Sequence, residues 1–275
     1  MDKLNFGTAG IPFSTKEKNT INGIKQVNEL KLEAMELEFV RSINIPKEKA
    51  PEVNEVAKKN NVALTCHAPY FINLNSKEKP KWHASINRIV QSAETANLCG
   101  AYSVCFHPGF YMKEEPRFVF ENIKNSLKEI FKKISSENKI WVRPETTGKP
   151  TQFGNIHEIL ELSQEFERLM PCIDFSHLHA RSNGKYNTKE EFREILALVE
   201  NKLGRKGLDN MHIHLSGINY GEKGEKNHLN LKDSDMKYKE LVEAWKEFKI
   251  KGIVISESPN IEGDALLLKR LYNDS

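Results

Sequence analysis

Residues 103–134 read SVCFHPGFYMKEEPRFVFENIKNSLKEIFKKI. The run opens on short apolar residues, Ser103–His107, and breaks at a Pro-Gly turn, as a buried strand does. Beyond a polar loop, Phe120, Ile123, Leu127, Ile130, Phe131 and Ile134 step by three and four, which places them on one helix face. Strand, loop and amphipathic helix together make one βα unit. The unit repeats in both directions. Candidate strands are Leu4–Gly7, Ala34–Phe39, Ala63–His67, Ser103–His107, Ile140–Pro144, Cys172–Asp174, Met211–Leu215 and Gly252–Ser256. Trp82, Ile86, Ile89, Val90 and Ala93 carry helical spacing after the third, and Phe192, Ile195, Leu196 and Val199 after the sixth. Eight strands each followed by helical sequence predict an α/β fold, a (β/α)8 TIM barrel, as a single domain over residues 1–275. An open doubly wound sheet is the runner-up, but no GxGxxG follows the first strand.

Composition agrees with one globular core. The chain has 275 residues, 39% hydrophobic and 29% charged, enough to fold without disulfide staples. Lys+Arg 41 against Asp+Glu 38 leaves a net +3, too weak to announce nucleic-acid binding and no argument against it, because a local basic face matters more than the sum. Cys66, Cys105 and Cys172 lie in apolar runs, Cys99 lies in helical sequence, and no CxxC spacing occurs. They read as buried thiols of a reducing compartment. Neither a cleavable leader in residues 1–20 nor a run of the ~20 apolar residues a membrane span requires is apparent. The expectation is a cytoplasmic monomer with no membrane partner.

In such a barrel the carboxyl ends of the strands face the site. Strands three to eight end at His67, His107, Glu145, Asp174, His214 and Glu257, with His177 three residues after Asp174. The intervals are 40, 38, 29, 40 and 43 residues, each about one βα unit. Any one of these residues alone reads as a hydrogen-bonded histidine or a helix cap. Six in succession, each a costly polar group at the end of an apolar strand, are better explained by one shared metal site. Imidazole with carboxylate favours zinc, manganese or iron over magnesium.

The motifs HAPYFINL, HPG, PETTGK, CIDFSH and HIHLSG, followed by Glu257, resemble those of the endonuclease IV family of abasic-site DNA repair enzymes, in its shorter archaeal-type form. The similarity runs from FGTAGIP to ISESPN, nearly the whole chain. It implies a barrel with a trinuclear zinc cluster that nicks double-stranded DNA 5′ to an abasic site by metal-activated hydroxide. By that resemblance His67, His107 and a bridging Glu145 would hold one zinc, with Glu145 central to catalysis. Glu145, Asp174, His214 and Glu257 would hold a second, and His177 with His228 a third. The family's third site uses an Asp two residues before the histidine of His228's position. Lys226 stands there, and Glu225 is the substitute one residue back. Tyr70 and Phe71 match the family's wedge into the lesion in position and type, and Arg41 would reach the same groove. Asn73 would fix their loop. Lysines and Arg181 near the loops would supply a basic rim.

A second reading stays open. Sugar isomerases and epimerases on the related xylose-isomerase-like barrel place Glu, Asp, His and Glu at strand ends around a single divalent ion, usually manganese. Glu145, Asp174, His214 and Glu257 match that set, and His67, His107, His177 and His228 would be left without a metal role. A metal-binding barrel kept only as a scaffold is a third reading.

Overall fold

Strand sequences such as SVCF and GIVIS are buried along their full length, as parallel strands covered by helices must be. The computed structural model describes residues 1–274. Its strands are β1 (Leu4–Ala9), β2 (Ala34–Glu38), β3 (Ala63–His67), β4 (Ser103–Phe106), β5 (Trp141–Pro144), β6 (Ile173–Asp174), β7 (Met211–Leu215), β8 (Gly217–Gly221), β9 (Gly224–Leu229) and β10 (Gly252–Ser256). The helices are α1 (Thr20–Glu29), α2 (Ala50–Lys59), α3 (Lys79–Leu98), α4 (Pro116–Lys133), α5 (Ile156–Gln164), α6 (Phe175–Arg181), α7 (Lys189–Leu203), α8 (Arg205–Leu208), α9 (Tyr238–Glu247) and α10 (Glu262–Asn273).

Eight strands pair in parallel in the order β5-β4-β3-β2-β1-β10-β7-β6. The two ends of that order meet through bridges from Val142 to Leu169 and from Glu145 to Cys172, which close the barrel. The expected eight-unit fold is therefore present, with β4 stopping at Phe106 and β6 shortened to two residues. The helix faces read from spacing are the buried ones: Phe120, Ile123, Leu127 and Ile130 in α4, and Phe192, Ile195, Leu196 and Val199 in α7. All four cysteines are buried and unpaired. No helix among the described residues is long and apolar enough to cross a membrane.

One element was not anticipated. Residues after β7, expected as loop, form the antiparallel hairpin β8–β9, turning through Glu222 and Lys223. Gly224 has φ +86 at its start, a conformation that favours glycine. The adjacent Glu225 N–H donates to Gly148 O at 2.9 Å, which ties the hairpin to the loop after β5.

Side chains alternate across a strand, so every second residue points into the barrel. Ala34, Ile253 and Ile255 form a small apolar cluster there, packed with Ala9, Ala63 and Tyr102. Arg143 is fully buried, its guanidinium donating to Pro171 O at 2.7 Å, Asn210 O at 2.9 Å and Asn210 Oδ1 at 2.7 Å. Those bonds engage both Nη atoms, leave the buried Nε without a partner, and join β5 to the segments entering β6 and β7.

Candidate metal centre

Each polar strand-end residue sits where its ladder ends, and the closed barrel turns these ends toward one mouth. Glu145 follows β5 and lies at the middle. Its Oε2 is 3.3 Å from His67 Nε2 and 3.4 Å from His107 Nε2. Its Oε1 is 3.4 Å from His214 Nδ1, which is also 3.4 Å from Glu257 Oε1. On the third side, His177 Nε2 is 3.6 Å from Glu225 Oε2, and His228 Nε2 is 3.9 Å from Glu225 Oε1. Three groups result: His67, His107 and Glu145; Glu145, Asp174, His214 and Glu257; and His177, Glu225 and His228. Within each, one candidate ligand atom per residue lies within 4.8 Å of the others.

The orientation of these side chains is set locally. His67 Nδ1 is 2.7 Å from Ala68 O, His177 Nδ1 is 3.0 Å from Thr146 O, and His228 Nδ1 is 3.2 Å from Glu257 O. A backbone carbonyl on one ring nitrogen leaves the other as the free ligand atom. Asp174 caps α6, its Oδ1 accepting from His177 N at 2.7 Å, and its Oδ2 is left over for the site. Glu225 is held by the hairpin's bond to Gly148, which is why one residue of displacement along the chain still delivers a carboxylate to His177 and His228.

A cation fits this donor set. Glu145 Oε1 and Oε2, Asp174 Oδ2 and His214 Nδ1 are buried without a hydrogen-bond partner. Such atoms are rare because each forfeits its hydration. Carboxylate and imidazole together are the donors of zinc and its neighbours. The charges already respond to one another. Burial works to raise the Glu145 carboxyl, but His107 and His214 overcome it and hold the group well below the usual carboxylate range. Burial would lower His67, yet Glu145, Glu38 and Glu36 push it up to about 10. His177 and His214 are likewise held well above the ordinary histidine value against burial, His177 by Asp174, Glu145 and Glu225, His214 by Cys172, Glu257, Glu36 and Glu145. Glu257 is raised by burial and by Glu145 and Asp174, against His214 and His228.

Several residues of this centre escape a reading by strand ends. Glu36 and Glu38 point inward from β2, and His212 from β7. Burial and Glu36 raise the Glu38 carboxyl to about 8, and its Oε1 has no partner. The detectable signal was AMELEF itself: two carboxylates two apart in a strand must share a face.

Around the mouth, Tyr70 and Phe71 are 59% and 69% exposed. Tyr70 N–H donates to Val40 O at 3.1 Å, which brings the exposed Arg41 alongside, and the Tyr70 ring lies 5.4 Å from that of His67. Asn73 does fix this loop: its Oδ1 accepts from Asn75 N and Phe110 N at 3.1 and 3.3 Å. Arg181 does not belong to a basic rim. Its Nη1 donates to Thr147 Oγ1, Lys149 O and Gln152 O, which commits it to the loop after β5. Lys77 pairs with Glu114 and Lys81 with Glu78, so these lysines offer little free charge.

A family model described as a xylose isomerase-like TIM barrel matches residues 24–271. An uncharacterized protein of Methanocaldococcus jannaschii is 43% identical over 272 residues, 98% of this chain and 97% of its own. A probable endonuclease 4 of Aster yellows witches'-broom phytoplasma is 30% identical over 174 residues, 60% of this chain and 58% of that one. Among solved structures, a D-tagatose 3-epimerase-like protein superposes with TM-score 0.74 at 18% identity, covering 97% of this chain and 96% of its own. Endonuclease IV from Thermus thermophilus superposes with TM-score 0.72 at 18% identity, covering 98% and 100%. The two structures establish the fold and leave the chemistry to the site.

Proposed function

The chain belongs to the xylose isomerase-like TIM barrel family, whose members named above include enzymes of two chemistries, and on that premise we propose that it is a zinc-dependent endonuclease that hydrolyses DNA on the 5′ side of abasic sites. One observation carries the reading: Glu145 stands between two further groups of donors, His67 with His107 and His177 with Glu225 and His228, beyond the four residues a single ion needs. Zinc held there would act as a Lewis acid on a phosphodiester and would lower the pKa of bound water to about 7.

The chain's own residues do the rest. Glu145 spans the first two groups with one carboxylate and so sets their separation. Asp174, His214 and Glu257 complete its inner side, and His67 and His107 its outer side. Glu225 stands in for the aspartate of the family motif, completing the third group from the hairpin. Tyr70 and Phe71, exposed beside His67, would fill the gap an abasic nucleotide leaves and hold the duplex bent, with Arg41 in the adjoining groove.

A second reading has an observation of its own, because Glu145, Asp174, His214 and Glu257 by themselves suffice for one manganese and sugar isomerisation or epimerisation. Metal content per chain, measured beside cleavage of a duplex with a single abasic site, separates the two. Two or three zincs with nicking support the nuclease. One manganese, no nicking and interconversion of a ketose overturn it.

A further inference from the structure

Below the mouth, the barrel encloses a polar chain that none of the three donor groups requires. Glu36 is fully buried on the inward face of β2. Its Oε1 lies 2.9 Å from His214 Nε2 and its Oε2 lies 3.2 Å from His212 Nε2, both at ion-pair distance though out of line for a hydrogen bond, and His214 Nε2 also lies 3.8 Å from Cys105 Sγ. Ser103 Oγ is 3.0 Å from His212 Nδ1 at the far end. Among the described residues no lysine or arginine pairs with Glu36, so the two imidazoles are what offsets its charge. A carboxylate kept in such a place without a function would be a costly group to bury.

We propose that Glu36 is a positioning residue for His214, holding the imidazole proton on Nε2 so that the Nδ1 lone pair faces Glu145 and Glu257. His214 Nδ1 is the ring atom without a hydrogen-bond partner, and it is the one 3.4 Å from both carboxylates. A carboxylate behind a metal-facing histidine fixes its tautomer and orientation and raises its basicity. His212 and Ser103 brace the carboxylate from below: His212 Nε2 packs at 3.2 Å against Glu36 Oε2, and His212 Nδ1 is held 3.0 Å from the Ser103 hydroxyl.

A competing use of the same residues is an interior metal site. Cys105, Cys172, His212 and His214 also bring candidate ligand atoms within 4.8 Å of one another. The carboxylate competes with it. Glu36 Oε2 lies 3.6 Å from Cys105 Sγ and 3.2 Å from His212 Nε2, so the carboxylate stands against two of the atoms such a site would use. Coordination there would also take Nε2 of His214 away from Glu36.

The inference rests on reading Glu145, Asp174, His214 and Glu257 as metal ligands, and the experiment separates the two. Zinc affinity is measured by chelator competition for the wild type, Glu36→Gln and His212→Gln, with circular dichroism to check folding. Long-range proton–nitrogen spectra of the zinc-loaded wild type identify the coordinating ring atom of His214, and absorption of the cobalt form reports thiolate ligation. Zinc on Nδ1, a loss of about 10–100-fold in affinity for Glu36→Gln, and only a few-fold loss for His212→Gln support the proposal. Zinc on Nε2, thiolate-to-cobalt charge transfer, or a Glu36→Gln protein as tight as wild type overturns it. The wild-type spectrum decides the matter if Glu36→Gln does not fold. A wild type that binds no zinc overturns the ligand reading itself, and this inference with it.

Discussion

Loading the metal-free protein with zinc at about pH 8 should release about one proton from His67 and a further contribution from His177 and His214, because zinc binds neutral imidazole. The source is three buried histidines at the mouth. His67 is pushed up to about 10, and His177 and His214 are held well above the ordinary value by the carboxylates around them, each against its own burial. At about pH 8 a group titrating near 10 is ~99% protonated, whereas a histidine near 6.5 is only ~3% protonated. For His67 the rise from 6.5 to about 10 corresponds to about 5 kcal/mol of favourable interaction with its neighbours, an order-of-magnitude figure for a buried group. Its folded pKa lies above its unfolded value. The stability it lends is therefore complete below about pH 6.5 and disappears as pH rises through about 10. Metal-free protein should melt at progressively lower temperature across that window, while zinc, replacing the protons as counter-charge, should remove the trend. Calorimetric zinc titration in two buffers of different ionisation enthalpy counts the protons. Release of fewer than one proton near pH 8, or a zinc affinity independent of pH between about 7 and 9, would refute the clustered-charge account.

Glu145→Gln removes the charge shared by two donor groups. Nicking of an abasic duplex should fall by at least about 100-fold and bound zinc should drop, and an active variant would sink the assignment. Gly148→Ala would place a methyl carbon 2.6 Å from Glu225 Oε2, so Glu225 must move. Elemental analysis should then find one metal fewer per chain, with the Glu145 groups intact; unchanged stoichiometry would mean that Glu225 is not a ligand. Tyr70→Ala with Phe71→Ala removes two exposed rings. Thermal stability should stay within about 0.5 kcal/mol and zinc content should not change, while KM for the abasic duplex rises; an unaltered KM would remove the wedge.

The barrel was readable because each βα unit announces itself twice, by a short run buried on both sides and by a helix face at a period near 3.6. The strand-end donors were readable for a related reason: a His or carboxylate closing an apolar run has no other ready explanation when it recurs. Two things were hidden. The β8–β9 hairpin carries GINYGEKGEKNHL, in which polar residues lie on both faces, so alternation gives no signal. Only the pair Gly221 and Gly224 flanking Glu222 and Lys223 pointed to a two-residue turn. Glu36, His212 and Arg143 were hidden by the premise that mid-strand residues fill an apolar core. Inside this barrel the Nη atoms of Arg143 donate to carbonyls and Glu36 lies at ion-pair distance from two imidazoles, so polar residues occupy positions usually given to valine and isoleucine.

That polar interior bears on how one fold serves more than one chemistry. Glu145, Asp174, His214 and Glu257 come from four adjacent strands and their ends, and they would make a single-ion site with nothing added. Everything beyond them enters from outside that set. His67 and His107 come from the ends of β3 and β4 on one flank of Glu145, His177 comes from the first turn of α6, and Glu225 and His228 come from the hairpin on the other flank. The hairpin is tied by its bond to Gly148, three residues beyond Glu145, so the loop that follows Glu145 also positions the third group. Losing the hairpin contact should therefore shift the site toward its four-residue core without disturbing the barrel, whose closure at Glu145 and Cys172 lies beneath it. The step between a one-ion and a several-ion centre is, on this geometry, a matter of His67, His107 and His177 with one tethered hairpin rather than of the fold.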